Sequence, residues 1–289
     1  MKGARLAAWV VVSVLCAPGT GAQDQPTFAT GVEAIRLDVL VTNRDEIVVG
    51  LGAGDFEVRD NGVLQDVTLV SAEELPLNVI LALDTSGSVA GEPLEHLRTA
   101  ARALIARLEA DDQAGLVTFS HEVELRERLT GDFSRIGNAL ALVEPEGETA
   151  VIDGSYAALM LGETDIGRDL LLVFSDGVDT ASWLTREQVL DAARRSDVVA
   201  YGVSVLGTEE PGFLGRLTQI TGGSLFEVES TRDLTSAFVG IFDQFRNRYL
   251  LSYSPQGVAP EGWHRIDVKV KNGRGLARVR AGYVGGPSR

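Results

Sequence analysis

Asn78-Val-Ile-Leu-Ala-Leu-Asp84-Thr-Ser86-Gly-Ser88 is the stretch on which the fold turns. The apolar run Val79 to Leu83 predicts a strand buried on both faces, as in a parallel sheet. It stops at Asp84, and oxygen-bearing side chains follow at alternate positions: Asp84, Ser86 and Ser88. A buried strand that ends this way puts hard oxygen donors at the carboxyl edge of a sheet, where open α/β sheets bind ligands. Ser and Asp oxygens suit Mg²⁺, which takes about six oxygens at roughly 2.0–2.1 Å and commonly keeps some water. Two later stretches complete the pattern. Gly147-Glu-Thr149-Ala-Val-Ile-Asp153 is a turn leading into a helix, and Leu170-Leu-Leu-Val-Phe-Ser-Asp176-Gly-Val-Asp179 is a second buried strand ending in an acid.

The order Asp84-x-Ser86-x-Ser88, then Thr149, then Asp176-Gly177 resembles the metal-ion-dependent adhesion site (MIDAS) of von Willebrand factor type A domains. The resemblance implies a doubly wound, Rossmann-like sheet. It also implies direct ligation of the ion by Ser86, Ser88 and Thr149, with Asp84 and Asp176 acting largely through bound water. The ion expected is Mg²⁺, with Mn²⁺ or Ca²⁺ as alternatives. Taken singly, Ser88 also reads as a helix N-cap, Asp84 as a strand-end residue and Asp176-Gly177 as a turn.

Outward from this centre, residues 76–246 alternate strands and helices, the pattern of a mostly parallel sheet covered on both faces. Glu92-Pro93 opens a helix whose apolar stripe is Leu94, Leu97, Ala101, Leu104, Ile105 and Leu108. Strands are predicted at 114–119 and 123–129, a helix near 134–142, and another running through Tyr156 and Leu161. Thr185-Arg-Glu-Gln188 is a capping box. A strand over 198–205, a helix over 212–220, a short strand over 224–228 and a helix carrying Leu234, Phe238, Ile241, Phe242 and Phe245 complete the unit.

Both flanks read as β structure. Residues 31–72 offer an alternating strand to Thr42, a strand over Asp55–Asp60, the hairpin turn Asn61-Gly62, and a return from Gln65 to Val70. Residues 247–284 offer strands over 248–254, 263–271 and 277–283. Neither flank is large enough to bury a core alone, so the two are expected to share one sandwich-like domain with the α/β domain inserted between them. The layout is similar to bacterial exported proteins related to the same family, through Asp55-Phe-Glu-Val58 and Tyr249-Leu-Leu-Ser-Tyr253.

Residues 1–22 read as a secretory signal peptide. Lys2 and Arg5 precede an apolar run from Leu6 to Cys16, and Thr20-Gly-Ala22 supplies small residues for cleavage. That run is well short of the roughly 20 residues that span a bilayer. Cys16 is the only cysteine, and Leu15 before it disfavours lipidation. Cleavage after Ala22 leaves a chain without disulfides, expected in the bacterial periplasm or secreted. The formal charge of −15 opposes nucleic acid and anionic lipid and suits a cation site.

The function expected is binding: an exposed Mg²⁺ captures a carboxylate from a protein partner, with Glu92, Glu146, Glu148, Asp153 and Asp179 as candidate rim acids. Two other readings stand beside it. In one the metal is structural and the β region binds, which would call for an exposed patch of Tyr249, Tyr253, Trp263 and Tyr283. The other is a metal-dependent hydrolase. A phosphatase nucleophile at Asp84 would need a second acid where Ser86 stands, and no Gly-x-Ser-x-Gly elbow occurs. His96, His121 and His264 are the only histidines, and the spacing places neither His96 nor His264 near the serines. No catalytic residue is assigned.

Overall fold

The computed structural model describes residues 34–70, 75–163, 166–205 and 212–286. The signal-peptide reading and Cys16 fall outside the described residues, as do the first residues of the expected β flank.

The amino-terminal flank forms β1 (Ile35–Asn43), β2 (Glu46–Ile47), β3 (Phe56–Asp60), β4 (Val63–Gln65) and β5 (Thr68–Val70). The β3–β4 hairpin turns at Asn61 and Gly62, whose φ angles of 46° and 85° suit these two residue types. The α/β unit then runs β6 (Leu77–Asp84), α1 (Glu92–Ile105), β7 (Gln113–Phe119), β8 (Val123–Thr130), α2 (Phe133–Ala141), α3 (Val151–Leu161), β9 (Arg168–Ser175), α4 (Arg186–Arg195), β10 (Val199–Val205), α5 (Phe213–Thr221), β11 (Leu225–Val228) and α6 (Leu234–Arg246). The carboxyl-terminal flank adds β12 (Tyr249–Tyr253), β13 (Gly262–Val270), β14 (Leu276–Arg278) and β15 (Gly282–Gly285).

The central sheet has the order β11-β10-β9-β6-β7-β8. All its neighbours are parallel except β7 and β8. Every residue of β6 and of β9 is buried, as the apolar runs require. Alternate side chains feed two cores. Val79, Leu81 and Leu83 pack with the apolar faces of α1, α2 and α6, while Ile80 and Ala82 pack with α3, α4 and α5. The chain enters at β6, moves to β7 and β8, and returns on the other side at β9. The adjacent ends of β6 and β9 are therefore the topological switch point, where loops leave for opposite faces and a crevice opens.

The flanks interleave in two antiparallel sheets, β14-β1-β12-β5 with β2 on β1, and β15-β13-β3-β4. Their inner faces share one core of Leu37, Val39, Val41, Phe56, Val58, Leu251, Tyr253, Ile266, Val268 and Tyr283. Two expected strands are corrected. The return from Gln65 to Val70 is broken, with β4 in one sheet and β5 in the other. The strand expected over 277–283 is likewise split into β14 and β15. Between these halves Arg280 turns away to bind the carbonyls of Arg194 and Ser196, and Ala281 N–H donates to the Ile220 carbonyl at 3.0 Å. Alternation of apolar residues specifies a face but not which sheet the strand joins.

The starts of β6, β9 and β10 face the sandwich. Arg168, first residue of β9, is 3% exposed and donates from Nε to Asp38 Oδ1 of β1 at 2.7 Å and from Nη2 to the Phe245 carbonyl at 3.1 Å. Arg248 is equally buried and reaches Tyr201 Oη and the carbonyls of Asp38 and Gly222. The candidate site lies at the other ends of these strands, a strand length of roughly 25 Å away.

Candidate metal centre

Asp84 closes β6 and is fully buried. Its Oδ1 accepts the Ser86 N–H at 2.9 Å and its Oδ2 accepts the Ser175 hydroxyl at 2.6 Å. Burial pushes its carboxyl above the ordinary range, against the pull of the Ser175 and Ser86 bonds; the nearby Asp176 charge pushes the same way. The acid is therefore fixed by the backbone turn that presents the two serines. Ser86 Oγ and Ser88 Oγ lie 3.0 Å apart, and Ser88 Oγ donates to Asp176 Oδ1 at 2.7 Å. Ser88 is not a helix cap: Gly91 occupies the N-cap of α1. Asp84, likewise, is more than a turn residue.

Thr149 enters from the loop before α3. Its N–H donates to Thr180 Oγ1 at 3.2 Å, while its carbonyl accepts the N–H groups of Thr180 and Ala181. Gly87 N–H donates to the Gly147 carbonyl at 3.0 Å, and Glu146 N–H donates to the Thr85 carbonyl at 2.9 Å. A Cβ on Gly177 would stand 3.5 Å from Thr149 Oγ1. The three loops are thus stitched together, and all five residues singled out in the sequence, Asp84, Ser86, Ser88, Thr149 and Asp176, meet at the β6–β9 switch point.

Among the described residues no group of three or more His, Cys, Asp or Glu side chains is arranged to hold a metal. The donors gathered here are three hydroxyls and two carboxylates, a set whose hard, mostly neutral oxygens fit Mg²⁺, Mn²⁺ or Ca²⁺ better than a soft ion.

Two expected rim acids have other work. Asp153 accepts the N–H groups of Trp183 and Leu184, both at 2.9 Å, and Asp179 accepts the Ile152 N–H and the Ser182 hydroxyl. Ser175 and Thr180 hold Asp84 and Thr149 and went unnoticed in the sequence. A hydroxyl next to the predicted Asp176 was the available signal for Ser175; nothing local marked Thr180. None of the histidine bonds described here reaches Ser86 or Ser88. His96 meets Thr231, His121 meets Ser120, and His264 meets Asp60 and Tyr283. In the sandwich, Tyr253 and Tyr283 are buried and Trp263 is 41% exposed, so the aromatics mainly pack the core.

The von Willebrand factor type A domain family matches residues 79–178, which include Asp84, Ser86, Ser88, Thr149 and Asp176. An uncharacterized protein of Synechocystis sp. is 27% identical over 229 residues, covering 72% of this chain and 54% of that protein. The mouse inter-alpha-trypsin inhibitor heavy chain H2 is 22% identical over 234 residues, covering 75% of this chain and 24% of its own length. The chain thus spans about half of one curated relative and a quarter of the other. Among solved structures, proximal thread matrix protein 1 of the mussel byssus superimposes with a TM-score of 0.54 at 14% identity, over 71% of this chain and 50% of that one. A further structure of that protein, with a zinc-occupied MIDAS motif, gives 0.53 at 16% identity over 65% and 49%. These likenesses establish the fold.

Proposed function

Since residues 79–178 of this chain are a von Willebrand factor type A domain, we propose that it is a divalent-metal-dependent protein-binding module. Ser86, Ser88 and Thr149 would hold the ion by their hydroxyls, and Asp84 and Asp176 would act largely through its bound water. The observation that carries this reading is the run of oxygens from Ser86 through Ser88 to Asp176, stacked on a buried Asp84. These four residues gather at the adjacent ends of β6 and β9, where a hard cation would find oxygen donors. Zinc in the MIDAS motif of the mussel protein, which shares this fold, supports a divalent ion here as well; the oxygen donors favour Mg²⁺. The ion supplies an electrophilic point at which a partner's carboxylate can complete the coordination. The chain's own residues fix that point and leave it at the surface, for Gly87 and Ser88 are exposed.

The leader pattern of residues 1–22 supports export, with the periplasm or the bacterial exterior as the working compartment. No helix among the described residues is long and apolar enough to cross a membrane.

The test is calorimetric titration of Mg²⁺ and Mn²⁺ into residues 23–289, with Ser86→Ala and Asp176→Ala in parallel. The expected result is saturable binding that either substitution weakens tenfold or more. Absence of saturable heat in the wild type at millimolar metal would rule the metal reading out.

A further inference from the structure

Trp183 is the most exposed large hydrophobic side chain among the described residues, at 93%. It stands in the loop between β9 and α4, the loop that begins with Asp176. An indole this exposed has its ring face open to a partner. The loop that carries it is not slack. Trp183 N–H is held by Asp153 Oδ2, Leu184 N–H by Asp153 Oδ1, and Ser182 Oγ donates to Asp179 Oδ1 at 2.5 Å. Asp153 N–H donates in turn to Ser182 Oγ at 3.1 Å, and Thr180 and Ala181 are bound to the Thr149 carbonyl. One loop thus holds Thr149 through Thr180 and Ala181 and has its own Trp183 backbone held by Asp153. The aromatic is presented by a preorganised loop on the same sheet edge as the oxygen cluster.

The surroundings select the partner's charge. The segments 85–91, 120–122, 144–150 and 176–185 make up this rim. Their charged residues are Glu122, Glu144, Glu146, Glu148, Asp176 and Asp179, with no Lys or Arg; His121 is the one further titratable group, and Arg186 opens α4 just beyond. A partner offering only carboxylates would be drawn to a bound cation and repelled by everything around it. A partner carrying a cation beside its carboxylate would be attracted at both points. The face of an indole ring holds a guanidinium or ammonium through its quadrupole, and Trp is the best side chain for this.

We propose that Trp183 is the second anchor of the binding face, stacking on a Lys or Arg that lies beside the carboxylate captured at the metal. The partner is thereby narrowed to a protein segment with one acid flanked by basic residues. This inference rests on the metal-dependent reading above, and Trp183 acts as its specificity-determining contact.

The test uses fluorescently labelled peptides of equal length, each with a single Asp flanked by Arg, by Ala or by Glu. Their binding to residues 23–289 is followed by polarisation in Mg²⁺ and in EDTA, next to the calorimetric metal titration. The expected order of affinity is Arg-flanked, then Ala-flanked, then Glu-flanked, with Mg²⁺ required. Trp183→Ala should weaken the Arg-flanked peptide about tenfold, Trp183→Phe should retain part of that affinity, and neither should alter the metal titration. Equal affinity for the Arg- and Ala-flanked peptides, equal binding by Trp183→Ala, or no binding of any peptide by metal-loaded protein would overturn the proposal. If the wild type takes no metal, the metal reading fails. The anchor, which lies beside the metal-held carboxylate, then fails with it, whereas saturable metal binding with Trp183→Ala holding the Arg-flanked peptide as the wild type does ends the anchor alone.

Discussion

Gly147 has φ +70°, and a Cβ built on it would fall 2.1 Å from His121 Nδ1. Its carbonyl takes the Gly87 N–H, so the residue joins the Thr149 loop to the serine loop. Two costs therefore fall on Gly147→Ala: the left-handed backbone, about 1–2 kcal/mol, and displacement of the imidazole. The variant should melt earlier and bind Mg²⁺ more weakly. The double variant with His121→Ala should recover only the part due to crowding. Equal melting of Gly147→Ala and wild type would refute this account of the loop. In the sequence, Gly147 was visible only as a turn residue. Asp84, Ser86 and Ser88 were legible as a cluster because they alternate at one strand end, and Thr149 and Asp176 joined them only through the resemblance, whereas the contact of Gly147 with His121 is made by the fold.

At the scale of elements, the buried strands β6 and β9 announce themselves as apolar runs, and the helices by their stripes. The β9–α4 loop does not, because its order comes from Asp153 on the neighbouring helix α3. Asp153→Ala would release the Trp183 and Leu184 N–H groups from a charged acceptor, at a cost of about 2 kcal/mol. Faster hydrogen exchange is expected over residues 179–184, with exchange in the sandwich unchanged; protection that stays as in the wild type would show the loop is held otherwise. A second cluster, in the sandwich, joins four strands. Tyr253 and Tyr283 donate to Asp60 Oδ2 at 2.9 and 2.8 Å, and His264 Nδ1 lies 2.8 Å from Asp60 Oδ1. Burial pushes both phenols well above their ordinary range, helped at Tyr253 by the Tyr283 phenol and then Asp60, and at Tyr283 by Asp60. The unfolded chain releases these protons above about pH 10, while the folded one keeps them. The stability they contribute is thus complete below that pH and is lost as pH rises towards the folded values. Denaturant unfolding measured at rising alkaline pH should show that decline, and Tyr253→Phe should flatten it. A decline of equal slope in the variant would assign it to other groups.

For the whole molecule, the flanks were recognisable as one shared β region because neither could bury a core alone, yet the way that region grips the α/β unit was not. The grip consists of buried arginines, and arginine in a sequence reads as surface. Arg168 is enclosed with Asp38 as its ion-pair partner, the Phe245 carbonyl as a further acceptor, and the Phe245 ring 4.9 Å away. Removing one member of a buried pair leaves the other charge desolvated, which costs about 3–5 kcal/mol. Asp38→Ala should therefore lower the melting temperature of the full chain by more than any single substitution at the metal centre. The same argument predicts the opposite for residues 76–246 expressed alone. Cutting away the sandwich takes Asp38 with it but also uncovers Arg168, so water replaces the lost partner and the fragment should fold with cooperative melting and metal binding intact. An Asp38→Ala chain as stable as the wild type, or a 76–246 fragment that fails to fold, would show that the two parts depend on each other through something other than this buried charge.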